Sequence, residues 1–396
     1  MFQLPEIQAA IAECGFDGWL LYDFRGSNIL AQRILKMPVG FHASRRYLYF
    51  IPVSGTPKKI VHRIESDVLD HLPGDKTVYL RWQELEGAIE SAVRGSAVVA
   101  MEYSPRNGNP YISRVDAGTV ELVRDFGSQV VSSGDLISVF ESVLTDEQFE
   151  SHLAATRVTT AAFAVAWKFI ADQVRANGQV EESAVSDVIM KHFADHGLTT
   201  YSPPIVGVNG NAGNPHYATG TGAETTIREG CFVLVDLWAR LNQPGACYSD
   251  LTRTGYVGTS VPEQYSKVFQ IVAAARDAGI ACVRSAFAEK RALKGGEVDD
   301  AVRSVIESAG YGEYFCHRTG HNLAQEVHGN GTHLDNLETQ EDRRILPGTM
   351  FTIEPGIYLP AFGVRSEINV YIHRNGDVEV TGGPLQTEVV PILSEY

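Results

Sequence analysis

Cysteine is scarce and unpatterned in this chain: Cys14, Cys231, Cys247, Cys282 and Cys316 are widely scattered, odd in number and without a CxxC pair. That excludes a disulfide framework or a zinc-cysteine site and implies reduced thiols. Positive charge is short as well, 33 Lys and Arg standing against 48 Asp and Glu for a formal net charge of -15. With no basic run or aromatic-basic stripe to offset it, the balance opposes binding to nucleic acid or to anionic membranes. Lys and Arg are missing from the segment before Arg25, where Leu4, Ile7 and Ile11 mark an amphipathic helix rather than a secretion signal. Long apolar runs are missing too: Thr159 to Ala171 is broken by Lys168, short of the roughly 18 to 20 residues a membrane span needs. These absences together predict a soluble, cytoplasmic protein.

The 396 residues, 44% of them hydrophobic, are too many for one ordinary core and enough for two or three domains. Up to residue 144, β-type runs such as "GWLLYDF", "RRYLYFIP" and "KKIVHR" alternate with helical or loop segments, the texture of a mixed α/β domain. Thr145 to Gln148 then forms a capping-box signature ahead of a long helical pattern with Leu153, Phe163, Trp167, Ile170 and Val174, stopped at Asn177-Gly178. The expected domains are therefore 1–144 and 145–396.

The second domain repeats its own organisation. Its first half reads as a helix (146–176), a helix (182–196), a Gly/Asn loop ending in His216, and the run "REGCFVLVD". Its second half reads as a helix opening at Ser260 to Glu263, a helix (297–309), a loop rich in histidine, and the run "LPGTMFTIE". A Gly precedes an acid by six residues in each half, Gly230 before Asp236 and Gly348 before Glu354, and a second acid follows Ser in each, Asp250 and Glu367. The separations between halves are 118 and 117 residues, so the pattern predicts two related α+β halves around a shared site.

Asp236 interrupts "CFVLVDLWA" and Glu354 interrupts "MFTIEPGIY", runs that otherwise read as buried strands. A lone buried carboxylate costs several kcal/mol unless it is paired, hydrogen-bonded or bound to metal. Four acids at matched places favour metal: two divalent cations would neutralise Asp236, Asp250, Glu354 and Glu367, with bridging carboxylates holding the ions roughly 3.5 to 4 Å apart. An oxygen-rich site with one imidazole suits Mn²⁺ and tolerates Co²⁺ or Zn²⁺. The stretch "HRTGHNLAQEVHGNGTH" offers His317, His321, His328 and His333 for that imidazole, and spacing alone does not separate the first three. Its i, i+4 pair is no zinc helix, because Arg318 replaces the required Glu and Gly320 disfavours helix by roughly 1 kcal/mol.

In order, "GNAGNPHY", "VLVDLWA", "YSDLTRT", "HRTGHNLAQEVH", "TIEPGIYLP" and "GVRSEINVYI" resemble the motifs of the pita-bread metallopeptidases, in particular the branch of prolidases and aminopeptidase P. The likeness covers about residues 146 to 390, and the preceding segment resembles that branch's creatinase-like N-terminal domain. It implies an α+β pita-bread catalytic domain whose metal ligands are Asp236, Asp250, His321, Glu354 and Glu367. Glu354 is then also the general base, His216 and His328 meet the substrate and assist catalysis, and Arg365 binds substrate or braces a metal carboxylate. The implied activity is cleavage of the Xaa-Pro bond in proline-containing dipeptides by a homodimer. The alternatives are an aminopeptidase P acting on longer peptides, a creatinase-like hydrolase, and a metal-free binding module. Three positions depart from the family pattern: Trp238 replaces Gly, the two aspartates stand fourteen residues apart, about three more than usual, and Gly329 rather than an acid follows His328.

Overall fold

The run "GWLLYDF" becomes the strand Gly18–Asp23, buried along its whole length in the middle of a six-stranded sheet. From one edge to the other the strands are Asp75–Tyr79, Lys58–His62, Tyr47–Pro52, Gly18–Asp23, Val98–Met101 and Gln129–Ser132. Neighbours are parallel except at Tyr47–Pro52, which runs antiparallel to both of its partners. A strand buried on both faces reads as an unbroken apolar run, which is why this one was visible. The helix Leu4–Glu13 lays Ile7, Ala10 and Ile11 into the same core. The computed structural model describes residues 2–38 and 40–396, and the chain divides into two compact units, Met1–Glu141 and Ser142–Tyr396.

The second unit opens with the helix Asp146–Asn177. Thr145 Oγ1 accepts from Gln148 N (3.3 Å) while Gln148 Oε1 accepts from Thr145 N (2.9 Å), and Gly178 at φ 78° ends the helix in the left-handed conformation. This helix is long and apolar enough to cross a membrane by length and composition alone. Its apolar side is nevertheless occupied: Phe163, Ala166, Trp167 and Ile170 are buried in one core cluster with Val233, Val235 and Leu237 of the strand Phe232–Leu241. The helix Glu182–Asp195 packs into the same cluster through Val185 and Ile189.

The other half repeats this construction. The helices Glu263–Ala288 and Gly295–Ser308 lay Phe269, Val272, Val298 and Val302 against Phe351, Ile353, Ile368 and Val370. Those four belong to the antiparallel strands Met350–Ile353 and Ile368–Ile372. The two half-sheets meet where Glu367 N donates to Thr252 O at 3.3 Å.

Candidate metal centre

Strand register brings the acids together. Phe232–Leu241 pairs antiparallel with Ser249–Tyr256, Asp236 standing opposite Thr252 and Trp238 opposite Asp250. Asp236 and Asp250 are thus diagonal neighbours on one face, within the reach of roughly 7 to 8 Å that such pairs have. In the other half the ladder Met350–Ile353 with Ile368–Ile372 ends at the pair Ile353 and Ile368. Continuing it by one step sets Glu354 opposite Glu367, so each half contributes two carboxylates from adjacent strands.

The histidine loop brings an imidazole to these acids. It is not helical: Gly320 forms a β-bridge with Leu334 and Asn322 one with Phe351. A β-carbon at Gly320 would lie 2.0 Å from the Thr352 carbonyl oxygen, so only glycine permits this approach. Thr352 N donates to His321 O (2.9 Å) and His321 N donates to Thr352 Oγ1 (3.0 Å), fixing the residue beside the strand. His321 Nε2 is consequently 3.6 Å from Asp250 Oδ2 and 3.2 Å from Glu354 Oε1. One potential ligand atom each from Asp250, His321 and Glu367 lies within 4.8 Å of the others, and all three residues are buried.

Several partners that sequence reasoning missed hold these groups in place. Thr252 Oγ1 donates to Glu367 Oε2 at 2.7 Å and accepts from Arg365 Nε at 3.0 Å. Asn369 exchanges two bonds with the Asp250 backbone, donating from Nδ2 to Asp250 O (2.6 Å) and accepting from Asp250 N (3.1 Å). Both residues face their partners only once the strands are paired, so nothing local in the sequence marks them. Arg365 was expected either to bind substrate or to brace a metal carboxylate, and in the structure its guanidinium lies on the Asp236 carboxylate. It is 3% exposed, with Nη2 on Asp236 Oδ2 (2.6 Å), Nη1 on the Tyr358 hydroxyl (2.8 Å) and Nε on Thr252.

Electrostatics reflect the crowding of like charge. Desolvation, then the charges of Asp236 and Glu354, pushes Asp250 well above the usual carboxylate range. Glu367 is raised in the same way, by burial first and then by Asp250 and Glu354. Glu354 is raised to about 7, burial outweighing the opposing effect of Arg365. His321 is held well below the ordinary imidazole range, by burial and then by His328 and Arg318.

His216 and His328 are both exposed, and the His328 ring meets His321 edge to face at 4.4 Å between centroids. His317 lies behind the centre with Nε2 2.7 Å from the Tyr358 hydroxyl and Nδ1 2.7 Å from Arg318 O, and His333 Nδ1 accepts from Asn322 N. Of the aromatics near the motifs, Tyr358 is buried behind Arg365, and Tyr217 donates to Glu182 at 2.6 Å. Trp238 is the one that borders the acids, its ring 5.9 Å from that of the exposed Tyr201.

Four carboxylates and one imidazole form a donor set for hard or borderline divalent cations. Asp236 Oδ1 is buried with no hydrogen-bond partner, an expensive state for a carboxylate oxygen and the one expected of a ligand atom. The residues present therefore fit a divalent metal.

Fold and donor set together define a metallopeptidase of pita-bread type. Residues 150–374 match the model of metallopeptidase family M24, and the chain belongs to that family. It is 31% identical over 259 residues to YkvY of Bacillus subtilis, the match covering 65% of each chain. It is 30% identical over 265 residues to that organism's uncharacterized peptidase YqhT, covering 65% of this chain and 69% of the other. The dipeptidase PepE of Mycobacterium ulcerans shares the fold at a TM-score of 0.65 and 21% identity, over 98% of this chain and 96% of its own. The Xaa-Pro dipeptidase of Bacillus anthracis does so at 0.57 and 22%, over 98% of both chains.

Proposed function

We propose that the protein is a dinuclear-metal hydrolase that cleaves the Xaa-Pro peptide bond, with dipeptides as its preferred substrates. One observation carries this reading: Asp236, Asp250, His321, Glu354 and Glu367 converge from two half-sheets and one loop, with a buried, unbonded oxygen on Asp236. The names of PepE as a dipeptidase and of the Bacillus anthracis enzyme as an Xaa-Pro dipeptidase support the substrate class. The five residues would hold two divalent ions, Mn²⁺ by preference, with Co²⁺ or Zn²⁺ tolerated. Such ions, when bound, supply Lewis acidity and lower the pKa of water toward neutrality.

Glu354 is the acid placed to move the proton. Its side chain is 15% exposed, against 6% for Asp250 and 11% for Asp236, which supports its role as the group that would take a proton from the attacking water and release it to the proline nitrogen. His328, whose ring packs on His321, and His216, near enough for its charge to act on His328, both face solvent at the rim and would hydrogen-bond the oxygen of the tetrahedral intermediate. Arg365 keeps Asp236 oriented. The bond before proline is a tertiary amide without N–H, so recognition rests on shape, and Trp238 is an apolar wall beside the acids. A homodimer is the expected assembly, checked by sedimentation.

The test is hydrolysis by metal-loaded protein of Ala-Pro beside Ala-Pro-Ala. A kcat/KM at least about tenfold higher for Ala-Pro, equivalent to about 1.4 kcal/mol, supports the dipeptidase. Equal or faster cleavage of the tripeptide moves the assignment to an aminopeptidase P, and cleavage of neither ends this reading.

A further inference from the structure

The internal repeat carries a third matched acid pair, outside the candidate metal set, whose oxygens are taken up by hydrogen bonds. Glu182 and Asp299 are 117 residues apart, the same separation as Asp250 and Glu367. Both are completely buried, and each lies near the start of the second helix of its half. A buried carboxylate needs partners for its oxygens, and the identity of those partners is informative.

Glu182 Oε1 accepts from Val208 N (2.7 Å) and Asn211 Nδ2 (2.8 Å), and Oε2 accepts from the Tyr217 hydroxyl (2.6 Å) and Gly220 N (3.2 Å). All four donors belong to residues 208–220, the loop that carries His216. The Tyr217 hydroxyl in turn accepts from Gly222 N (3.0 Å), which extends the clamp. Asp299 does the equivalent in the other half. Its Oδ1 accepts from Thr319 N and its Oδ2 from Asn336 N, both at 3.0 Å, so it grips the two ends of the loop that carries His321 and His328. It also pairs with Arg303, whose guanidinium donates to Phe315 O and His317 O at 3.0 Å each. From Thr319 the order passes directly to the centre, because Glu354 N donates to Thr319 O at 2.8 Å.

We infer that Glu182 and Asp299 are paired positioning residues: Glu182 sets the rim loop of His216, and Asp299 sets the ligand loop of His321. The inference rests on the metal-centre reading above. It assigns the two halves of the repeat different consequences, which a merely structural role for two buried acids would not do.

The test uses Glu182→Gln and Asp299→Asn in the full chain. An amide nitrogen is a donor, so each substitution sets a donor against donors while keeping the shape. Hydrogen exchange should quicken in 206–225 for Glu182→Gln and in 315–336 for Asp299→Asn, each without the other. Glu182→Gln should keep its full content of Mn²⁺ while kcat for Ala-Pro falls at least about tenfold, and Asp299→Asn should bind Mn²⁺ at least about tenfold more weakly. Val185→Ala, a buried substitution on the same helix as Glu182, lowers Tm and serves as the control that leaves metal content and kcat in place. Uniform exchange changes, or equal loss of metal in both variants, would overturn the inference. A wild-type chain that binds metal but cleaves no peptide would sink the proposed activity while leaving the exchange and metal results to judge the clamps.

Discussion

Arg365 Nη2 donates to Asp236 Oδ2 at 2.6 Å, and the other carboxylate oxygen of Asp236 is left buried and unbonded. The pair divides the labour of one carboxylate. One oxygen is fixed by a charge-assisted bond, which holds the other in a defined direction, as the proposed metal site requires.

Removing Arg365 should therefore be felt most when no metal is present. Breaking one side of a buried ion pair costs about 3 to 5 kcal/mol because the remaining charge loses its partner. Arg365→Ala should lose about that much stability in urea unfolding with chelator present, and less with Mn²⁺ added. Its relative activity on Ala-Pro and Ala-Pro-amide should be unchanged. A selective loss on the free-carboxylate substrate would instead make Arg365 a substrate clamp.

Metal stoichiometry follows from the four acids. Elemental analysis of the purified protein should find close to two divalent ions per chain, exhaustive chelation should abolish hydrolysis, and Mn²⁺ should restore it. Asp250→Asn should lower occupancy and activity together. Full activity in a metal-free preparation is incompatible with the proposed function.

The two histidines in edge-to-face contact should separate by role. His321 lies 3.2 Å from Glu354 and is buried, whereas His328 is exposed at the rim. His321→Ala should lose metal, while His328→Ala should retain it and lose about a hundredfold or more in kcat, the range for removing one donor to the oxygen of the tetrahedral intermediate. Equal metal loss in both would show that the ligand had been misassigned.

What could be read from the sequence depended on how local each signal was. Asp236 and Glu354 stand out because a carboxylate inside an apolar run demands an explanation, and the long helix stands out because its capping box and stop lie next to it in the chain. Thr252 and Asn369 carry no such mark, since their roles exist only across strands paired through residues more than a hundred positions away. Glu182 was hidden differently: an acid in the first turn of a helix is common as a partner of the helix dipole, so its burial by a distant loop could not be foreseen. Among the clustered histidines the shared spacing was ambiguous and the motif resemblance alone singled out His321, whose place beside Asp250 and Glu354 depends on the β-bridges at Gly320 and Asn322.

His152, on the long helix, provides a prediction about pH that does not involve the metal ligands. Its Nδ1 lies 2.7 Å from Tyr248 O, and since a carbonyl only accepts, this nitrogen carries the proton. Nε2 is then an acceptor for the hydroxyls of Thr381 (2.7 Å) and Thr156 (3.2 Å), so the folded state holds the neutral ring. Burial lowers its pKa from 6.5 to about 4, against the weaker opposing effect of the Tyr248 carbonyl. A histidine with a depressed folded pKa binds fewer protons when folded than when unfolded. Its contribution is complete above the unfolded value and is lost as pH falls from there toward the folded one. Between pH 7 and pH 5 that loss is about 2 kcal/mol at 1.36 kcal/mol per unit. The chain has other buried titrating groups, so the measurement is a difference: urea unfolding at both pH values, with chelator present, for wild type and His152→Gln. The variant should be less stable at pH 7 and should lose about 2 kcal/mol less than wild type on going to pH 5. Parallel losses in the two proteins would show that His152 is not held neutral by the fold.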